Sequence, residues 1–115
     1  MKKYIIIITF FVSLFTFSQS IKKKEFLNDY AVCSCLSQGY HKIGIKLNDS
    51  SSNYWREATF LSIKQDNEFN DFITSYIKKM PLNQAYDGST CVINYCLSIK
   101  EDKGFIILVS KLLKK

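Results

Sequence analysis

The sequence predicts an all-α fold, a small bundle of four to five helices. Apolar residues recur at helical spacing through most of the chain, whereas the alternation typical of strands is scarce. One proline and four glycines are the strongest helix breakers, so long helices can form between them. The four cysteines fall in two well-separated helical segments, which predicts one or two disulfides between the first and fourth helices.

The N-terminal residues have the layout of a secretory signal peptide, predicted to cover residues 1–18. A short positive start leads into an apolar run over residues 4–17, and the small residues Thr16 and Ser18 precede a predicted cleavage before Gln19. An uncleaved membrane anchor is the alternative, but the run is shorter than the roughly 18 residues that a spanning helix needs. The sequence therefore predicts export to the periplasm, with no membrane association after cleavage.

Residues 19–115 are predicted to form a single domain, because a chain of this length builds only one small core. Removing Lys2 and Lys3 with the signal peptide lowers the formal net charge from +6 to +4, and the remaining excess is concentrated near the two ends of the domain. Such ends are typically solvated, and no nucleic-acid partner is expected for an exported protein. Attraction to an acidic partner or to an anionic envelope surface stays open.

The first two helices are predicted over about Lys23–Tyr40 and about Ser52–Lys64. The first is apolar over much of its circumference, which predicts a central position in the fold. Its apolar residues form two adjacent strips, one of Phe26, Tyr30, Cys33 and Tyr40 and one of Leu27, Ala31 and Cys35. The predicted buried residues of the second helix are Tyr54, Trp55, Ala58, Phe60 and Leu61, and its N-cap candidates are Asp49, Ser50, Ser51 and Ser52.

The third helix, predicted over about Glu68–Met80, has the clearest pattern. Its buried positions follow the i, i+3, i+4, i+7 spacing of an amphipathic helix and are Phe69, Phe72, Ile73, Tyr76, Ile77 and Met80. Asp66 or Asn67 is the predicted N-cap, and Pro81 ends the helix. The predicted outer face carries Asn70, Asp71, Lys78 and Lys79.

A polar loop is predicted over Pro81–Ser89, with a turn at Asp87–Gly88. The fourth helix then begins near Ser89 or Thr90 and carries both late cysteines. The final segment FIILVSKLLKK is predicted as a further helix. Its first residues are β-prone, which leaves a strand as the alternative.

The cysteines are predicted to be structural. Their C-x-C and C-x4-C spacings do not fit a structural zinc site, and neither a metal nor another cofactor is expected. Exported thiols are usually oxidised. A bond between Cys33 and Cys35 would be strained, because two positions along a helix rotate a side chain by about 200°. For antiparallel helices the spacing favours Cys35–Cys91 with Cys33–Cys96, and the alternative is Cys33–Cys91 with Cys35–Cys96.

Catalytic signatures are weak, and the protein is not expected to be an enzyme. A thiol nucleophile needs a base, and the single histidine, His41, follows the first predicted helix in a polar segment. The sequence contains neither a G-x-S-x-G elbow nor a glycine-rich phosphate loop. A small hydrolase that uses a cysteine and His41 is the alternative, and it would require a free thiol.

Two stretches resemble the immunity proteins of type VI secretion amidase effectors. The first has N-D-Y-A at residues 28–31, followed by C-L at 35–36 and G-Y at 39–40. The second comprises Cys91, Tyr95 and Ser98. The order of parts is also similar: a signal peptide, a cysteine in the first helix, two middle helices, a late cysteine and a short terminal helix. Cys33 and Cys96 are additions to this pattern.

This resemblance implies a periplasmic immunity protein that binds and inhibits a papain-like peptidoglycan amidase, an endopeptidase delivered by type VI secretion. Such proteins have no catalysis of their own and are commonly homodimers. They present the loop between the third and fourth helices to the cleft of the effector. In this chain that loop comprises Pro81, Leu82, Asn83, Gln84, Ala85, Tyr86, Asp87, Gly88 and Ser89. Leu82, Gln84, Tyr86 and Asp87 are the expected contacts, and Tyr86 is the main one because aromatic residues dominate interface hot spots.

Two alternatives stay open at this point. The protein is an inhibitor of a lysozyme-type glycan-cleaving enzyme, or another envelope-binding module, if the partner is not an amidase. The loop is an ordinary connector, with Tyr86 folded onto the core, if it has no binding role.

Overall fold

The computed structural model describes the backbone of residues 2–59 and 61–114, and the side chains from residue 21 onward within these ranges. This part contains the helices α1 (Lys2–Lys42), α2 (Ser51–Thr59), α3 (Ile63–Lys78), α4 (Val92–Leu97) and α5 (Lys103–Leu113), and a 3-10 turn at Ser98–Glu101. Since these ranges contain no strand, the predicted all-α class is confirmed. The predicted signal peptide, residues 1–18, lies outside the described side chains, as does Phe60.

Helix α1 is central, since α2, α3, α4 and α5 all contact it. It begins at Lys2 rather than near Lys23, and no glycine or proline interrupts the chain between these positions. Both predicted strips are turned toward the protein, but unequally. Leu27, Ala31, Cys35 and Tyr30 are buried, whereas Phe26, Cys33 and Tyr40 are only partly buried.

The boundary between α2 and α3 differs from the prediction. Helix α2 ends at Thr59 instead of Lys64, and α3 begins at Ile63 instead of Glu68. The cause is a capping box: Gln65 N donates to Ser62 Oγ at 3.1 Å, and Ser62 N donates to Gln65 Oε1 at 3.0 Å. The prediction of Asp66 or Asn67 as the N-cap is therefore wrong.

Two predicted orientations are also corrected. Asn70, predicted on the outer face of α3, faces inward, because its Nδ2 donates to Tyr30 Oη at 2.8 Å. Tyr30 Oη in turn donates to Asp66 Oδ1 at 2.7 Å. Tyr54, predicted to be buried, is 65% exposed. Its neighbour Trp55 instead packs on Phe26, with ring centroids 5.4 Å apart.

The C-terminal segment is helical, so the strand alternative is wrong. Asp102 is the N-cap of α5, and its carboxylate accepts a hydrogen bond from Phe105 N at 3.0 Å. Helix α4 begins at Val92, after Cys91 as the N-cap residue, rather than near Ser89 or Thr90. The buried core of the bundle consists of Leu27, Tyr30, Ala31, Cys35, Phe69, Ile73, Ile77, Met80, Val92, Cys96, Ile99, Phe105, Leu108, Val109 and Leu112.

One disulfide joins α1 to α4, between Cys35 and Cys96, whose Cα atoms are 5.6 Å apart. The cross-link between the first and fourth helices is confirmed, but the favoured pairing of Cys35 with Cys91 is wrong, and Cys33 and Cys91 are free thiols. Cys35 and Cys96 are both fully buried. Two positions along a helix rotate a side chain by about 200°, so Cys33 does not share the buried face of Cys35.

Candidate functional site

The segment between α3 and α4 contains the predicted binding loop, Pro81–Ser89. All of its residues are exposed except Ala85, which is partly buried. Leu82 is 51% exposed and Tyr86 is 110% exposed, so the tyrosine side chain is not folded onto the core. The loop therefore presents one aromatic and one aliphatic side chain to solvent, where burial against a partner would be favourable.

A tight turn holds Tyr86 at the tip of this loop. Gly88 N donates to Ala85 O at 2.9 Å, so Tyr86 and Asp87 are the two central residues of a four-residue turn. Gly88 has φ +83, in the left-handed region that glycine adopts without steric cost. Ala85 N also donates to Ser89 O at 3.0 Å, which closes the turn from the other side. The predicted turn at Asp87–Gly88 is confirmed.

The Asp87 carboxylate stabilises the same turn. Its Oδ1 accepts from Ser89 Oγ at 2.6 Å and from Ser89 N at 3.0 Å. These two hydrogen bonds, the hydroxyl first and the backbone N–H second, hold the pKa of the Asp87 carboxyl below its usual range. The side chain is solvent-exposed and negatively charged at neutral pH, directly beside Tyr86.

The first half of the loop is tied to the start of α4. Asn83 N donates to Thr90 Oγ1 at 3.0 Å, and this hydrogen bond joins the segment that enters the loop to the segment that leaves it. Asn83 itself has φ 58, a left-handed conformation that asparagine tolerates better than most residues. The sequence indicates Thr90 only as a candidate start of the fourth helix, and no local pattern predicts its hydrogen bond to Asn83.

The helices on both sides of the loop are also joined to each other. Tyr76 Oη donates to Tyr95 O at 3.0 Å, and Tyr95 Oη donates to Tyr76 O at 2.5 Å. The two rings stack with centroids 4.4 Å apart. The hydrophobic pattern marks both tyrosines as core candidates, but nothing in it indicates that they exchange hydrogen bonds.

Helix α1 contacts the end of α3 and the start of α4, on the two sides of the loop. Lys42 Nζ donates to the carbonyl oxygens of Ile77, Lys78 and Met80 at 3.0, 3.3 and 3.4 Å, at the C-terminus of α3. A cation here is favourable because helix C-termini carry partial negative charge and unpaired carbonyls. The start of α4 packs on α1 at Gly39, where an added Cβ would lie 2.8 Å from Val92 Cγ1.

The free thiol Cys33 and the single histidine do not form a catalytic pair. Both lie on α1, eight positions apart, which separates them by roughly 12 Å along the helix axis. His41 lines a groove of about 700 Å³, and Cys33 lines a smaller cavity of about 140 Å³. Burial raises the pKa of the Cys33 thiol, and Asp49 and Asp29 add to the rise.

The described residues contain no group of three or more histidine, cysteine, aspartate or glutamate side chains placed to hold a metal ion. Over the same residues, no helix combines the length and the apolar character that crossing a membrane requires. Comparison with known proteins found no matching family model, no matching curated protein and no matching solved structure. The residues and geometry of the loop are therefore the basis for assigning a function.

Proposed function

We propose that this chain is a periplasmic immunity protein that binds and inhibits a papain-like peptidoglycan amidase effector of type VI secretion. The observation that supports this most directly is the exposure of Tyr86 at the tip of the Pro81–Ser89 loop. A protruding loop that enters the substrate cleft would block the enzyme without any chemistry of its own. The inhibitor would need only a surface complementary to the cleft and one side chain that becomes buried in it.

Pre-organisation favours such binding. Three sets of hydrogen bonds fix the loop. They form the turn around Tyr86, join Asn83 to Thr90, and join Tyr76 to Tyr95 on the flanking helices. Ordering a flexible loop on binding reduces affinity, so a loop that is already ordered keeps more of its contact energy. Tyrosine is among the residues most often found at interface hot spots, which supports Tyr86 as the principal contact.

The cross-link fits the proposed location. Disulfides form and persist in oxidising compartments such as the periplasm and are rare in the cytosol. The bond between Cys35 and Cys96 lies within the core and joins α1 to α4, two helices that α2 and α3 separate in sequence. We propose that the mature protein acts as a homodimer, as the resemblance implies, and light scattering on the purified protein tests this.

The experiment is an inhibition assay. The oxidised chain from Gln19 is titrated into a papain-like peptidoglycan endopeptidase encoded beside it, and release of cleaved stem peptide is measured. We expect stoichiometric inhibition. No inhibition and no complex with that enzyme would contradict the proposal, and inhibition of a glycan-cleaving enzyme instead would replace it with the lysozyme-inhibitor alternative.

Loop variants test the role of Tyr86. Tyr86→Ala is expected to raise the inhibition constant by about 30-fold, the effect of losing a hot spot of about 2 kcal/mol. Tyr54→Ala is the matched control, because Tyr54 is another exposed tyrosine, on α2. Equal inhibition by the Tyr86→Ala protein and the parent would refute the role of the loop.

Asp87 variants separate charge from geometry. Asp87→Asn keeps a side-chain oxygen that can accept from Ser89 but removes the negative charge, whereas Asp87→Ala removes both. If Asp87 acts only by stabilising the turn, the Asp87→Asn protein should inhibit as strongly as the parent and the Asp87→Ala protein more weakly. If the enzyme binds the negative charge of Asp87, both variants should inhibit more weakly than the parent.

A further inference from the structure

A basic groove lies between α1 and α3, beside the base of the loop. It has a volume of about 700 Å³, within the range of ligand-binding clefts. Two helical faces form its walls, and on each of them three lining residues follow i, i+3 and i+4 spacing. These are Gln38, His41 and Lys42 on α1 and Thr74, Ile77 and Lys78 on α3; α1 also contributes Ser37, and the segment after α1 adds Lys46 and Leu47.

The charge of this groove is of one sign. Lys42, Lys46 and Lys78 line it together with His41, and no aspartate or glutamate is among the lining residues. Lys42 is occupied, because its ammonium group already donates to three carbonyl oxygens at the end of α3. The ion pair found among the described residues joins Lys111 to Glu68, so Lys46 and Lys78 have no carboxylate partner there. Like charges held close together favour an anionic ligand between them.

The remaining lining residues indicate the class of ligand. Ile77 and Leu47 give the groove an apolar part, and Thr74 Oγ1 donates to Gln38 Oε1 at 3.0 Å, which orients the amide of Gln38. A flat anionic surface such as a membrane would touch only the rim of a concave site. An extended segment with alternating acidic and apolar side chains would reach both the cations and the apolar part.

We propose that this groove binds an acidic segment of a protein partner, as a second contact surface beside the Pro81–Ser89 loop. Lys46 and Lys78 supply the charge contacts, and Lys42 is a positioning residue that holds the end of α3 against α1. The groove adjoins the loop, since Lys78 lies three residues before Pro81, so one partner can cover both. We take the amidase to be the partner that carries this segment, and that identification alone rests on the proposed function.

The test uses a probe peptide instead of the effector. The ¹⁵N-labelled chain from Gln19 is titrated at low salt with a capped peptide of alternating glutamate and leucine, and with the same peptide carrying glutamine for glutamate. We expect saturable amide shifts at Gln38, Lys46, Thr74 and Lys78 with the glutamate peptide, and at least tenfold weaker binding of the glutamine peptide. High salt is expected to weaken the glutamate complex, because its charges are exposed.

Charge reversal completes the test. Lys46→Glu with Lys78→Glu is expected to abolish the shifts, whereas the control pair Lys64→Glu with Lys100→Glu, exposed lysines elsewhere, leaves them unchanged. Shifts confined to other lysines, or equal binding of both peptides, would overturn the proposal. The parent protein is also tested for binding to phosphatidylglycerol vesicles. If it binds the vesicles but not the peptide, and Lys46→Glu with Lys78→Glu abolishes vesicle binding, the proposal is overturned in favour of a membrane surface. Because this readout needs no amidase, its failure is distinct from failure of the inhibition assay.

Discussion

Tyr76 and Tyr95 each donate a hydroxyl hydrogen bond to the backbone carbonyl oxygen of the other, at 3.0 Å and 2.5 Å. Tyr76 lies on α3 and Tyr95 lies on α4, so this exchange joins the helices that precede and follow the Pro81–Ser89 loop. The position of the loop therefore depends on two side chains that lie outside it.

Tyr95→Phe is expected to lower the free energy of unfolding by about 1 kcal/mol, because it removes one hydrogen bond while the stacked ring remains. Urea unfolding followed by circular dichroism measures the change. Tyr86→Phe is the matched control and should leave stability unchanged, since that side chain is exposed. Equal stability of the Tyr95→Phe and parent proteins would show that the hydroxyl contributes nothing.

The disulfide between Cys35 and Cys96 is expected to contribute about 4 kcal/mol, the chain-entropy value for a closed loop of this length. The double variant Cys35→Ala with Cys96→Ala should lose this stability, whereas Cys33→Ala with Cys91→Ala should unfold like the parent. Alkylation of the denatured, unreduced parent followed by mass spectrometry should label the two thiols Cys33 and Cys91. Labelling of a different pair would contradict the observed connectivity.

Gly39→Ala is expected to destabilise the protein by about 1–3 kcal/mol, the usual cost of overpacking. The added methyl group would lie 2.8 Å from Val92 Cγ1, which outweighs the better helix propensity of alanine. A double-mutant cycle with Val92→Ala measures the coupling by thermal unfolding. The second substitution should restore part of the loss, and additive effects of the two changes would argue against the close contact.

Lys42→Met is expected to reduce stability by about 1 kcal/mol, because the last carbonyls of α3 lose a cationic donor. Amide hydrogen exchange should also become faster near the C-terminus of α3. Lys46→Met is the control, since Lys46 lines the same groove without capping a helix. If both variants behave alike, the hydrogen bonds of Lys42 do not stabilise the end of α3.

Stability should fall as the pH rises from about 10 to about 12. Burial raises the pKa of Tyr30 to about 12, with Asp66 adding to the rise and the hydrogen bond from Asn70 opposing it. In the unfolded chain this tyrosine ionises near pH 10, so its contribution is complete below that pH and is lost toward the folded pKa. Burial raises the pKa of Tyr76 to about 12 as well.

Tyr30→Phe should therefore reduce the loss of stability across this pH window without removing it. Unfolding free energies measured at several pH values, with phenolate absorbance recorded alongside, provide the check. A slope identical to that of the parent would mean that Tyr30 ionises alike in the folded and unfolded chains.

Local sequence patterns were sufficient to predict the helical class, the central first helix, the buried face of α3 and the position of the loop. Each of these follows from local periodicity or from a turn signal such as Asp87–Gly88, which acts over a few residues. The periodic spacing of Phe69, Ile73 and Ile77 identifies the core face of α3 regardless of what packs against it. The cross-link between the first and fourth helices was also predictable, because the argument needed only the cysteine positions and the prediction that the protein is exported.

Local patterns do not predict which cysteines pair, which polar side chains face inward or which hydrogen bonds fix the loop, because these depend on how the helices pack. Cys35 pairs with Cys96 because each lies on the face its helix buries, and that depends on how α1 and α4 are rotated against each other. Asn70 faces Tyr30, although its position in the helical pattern predicts the outer face of α3, and Asp66, a predicted N-cap, accepts a hydrogen bond from the same tyrosine. These partners lie 36 or more residues apart, and local patterns carry no information about contacts at such a separation.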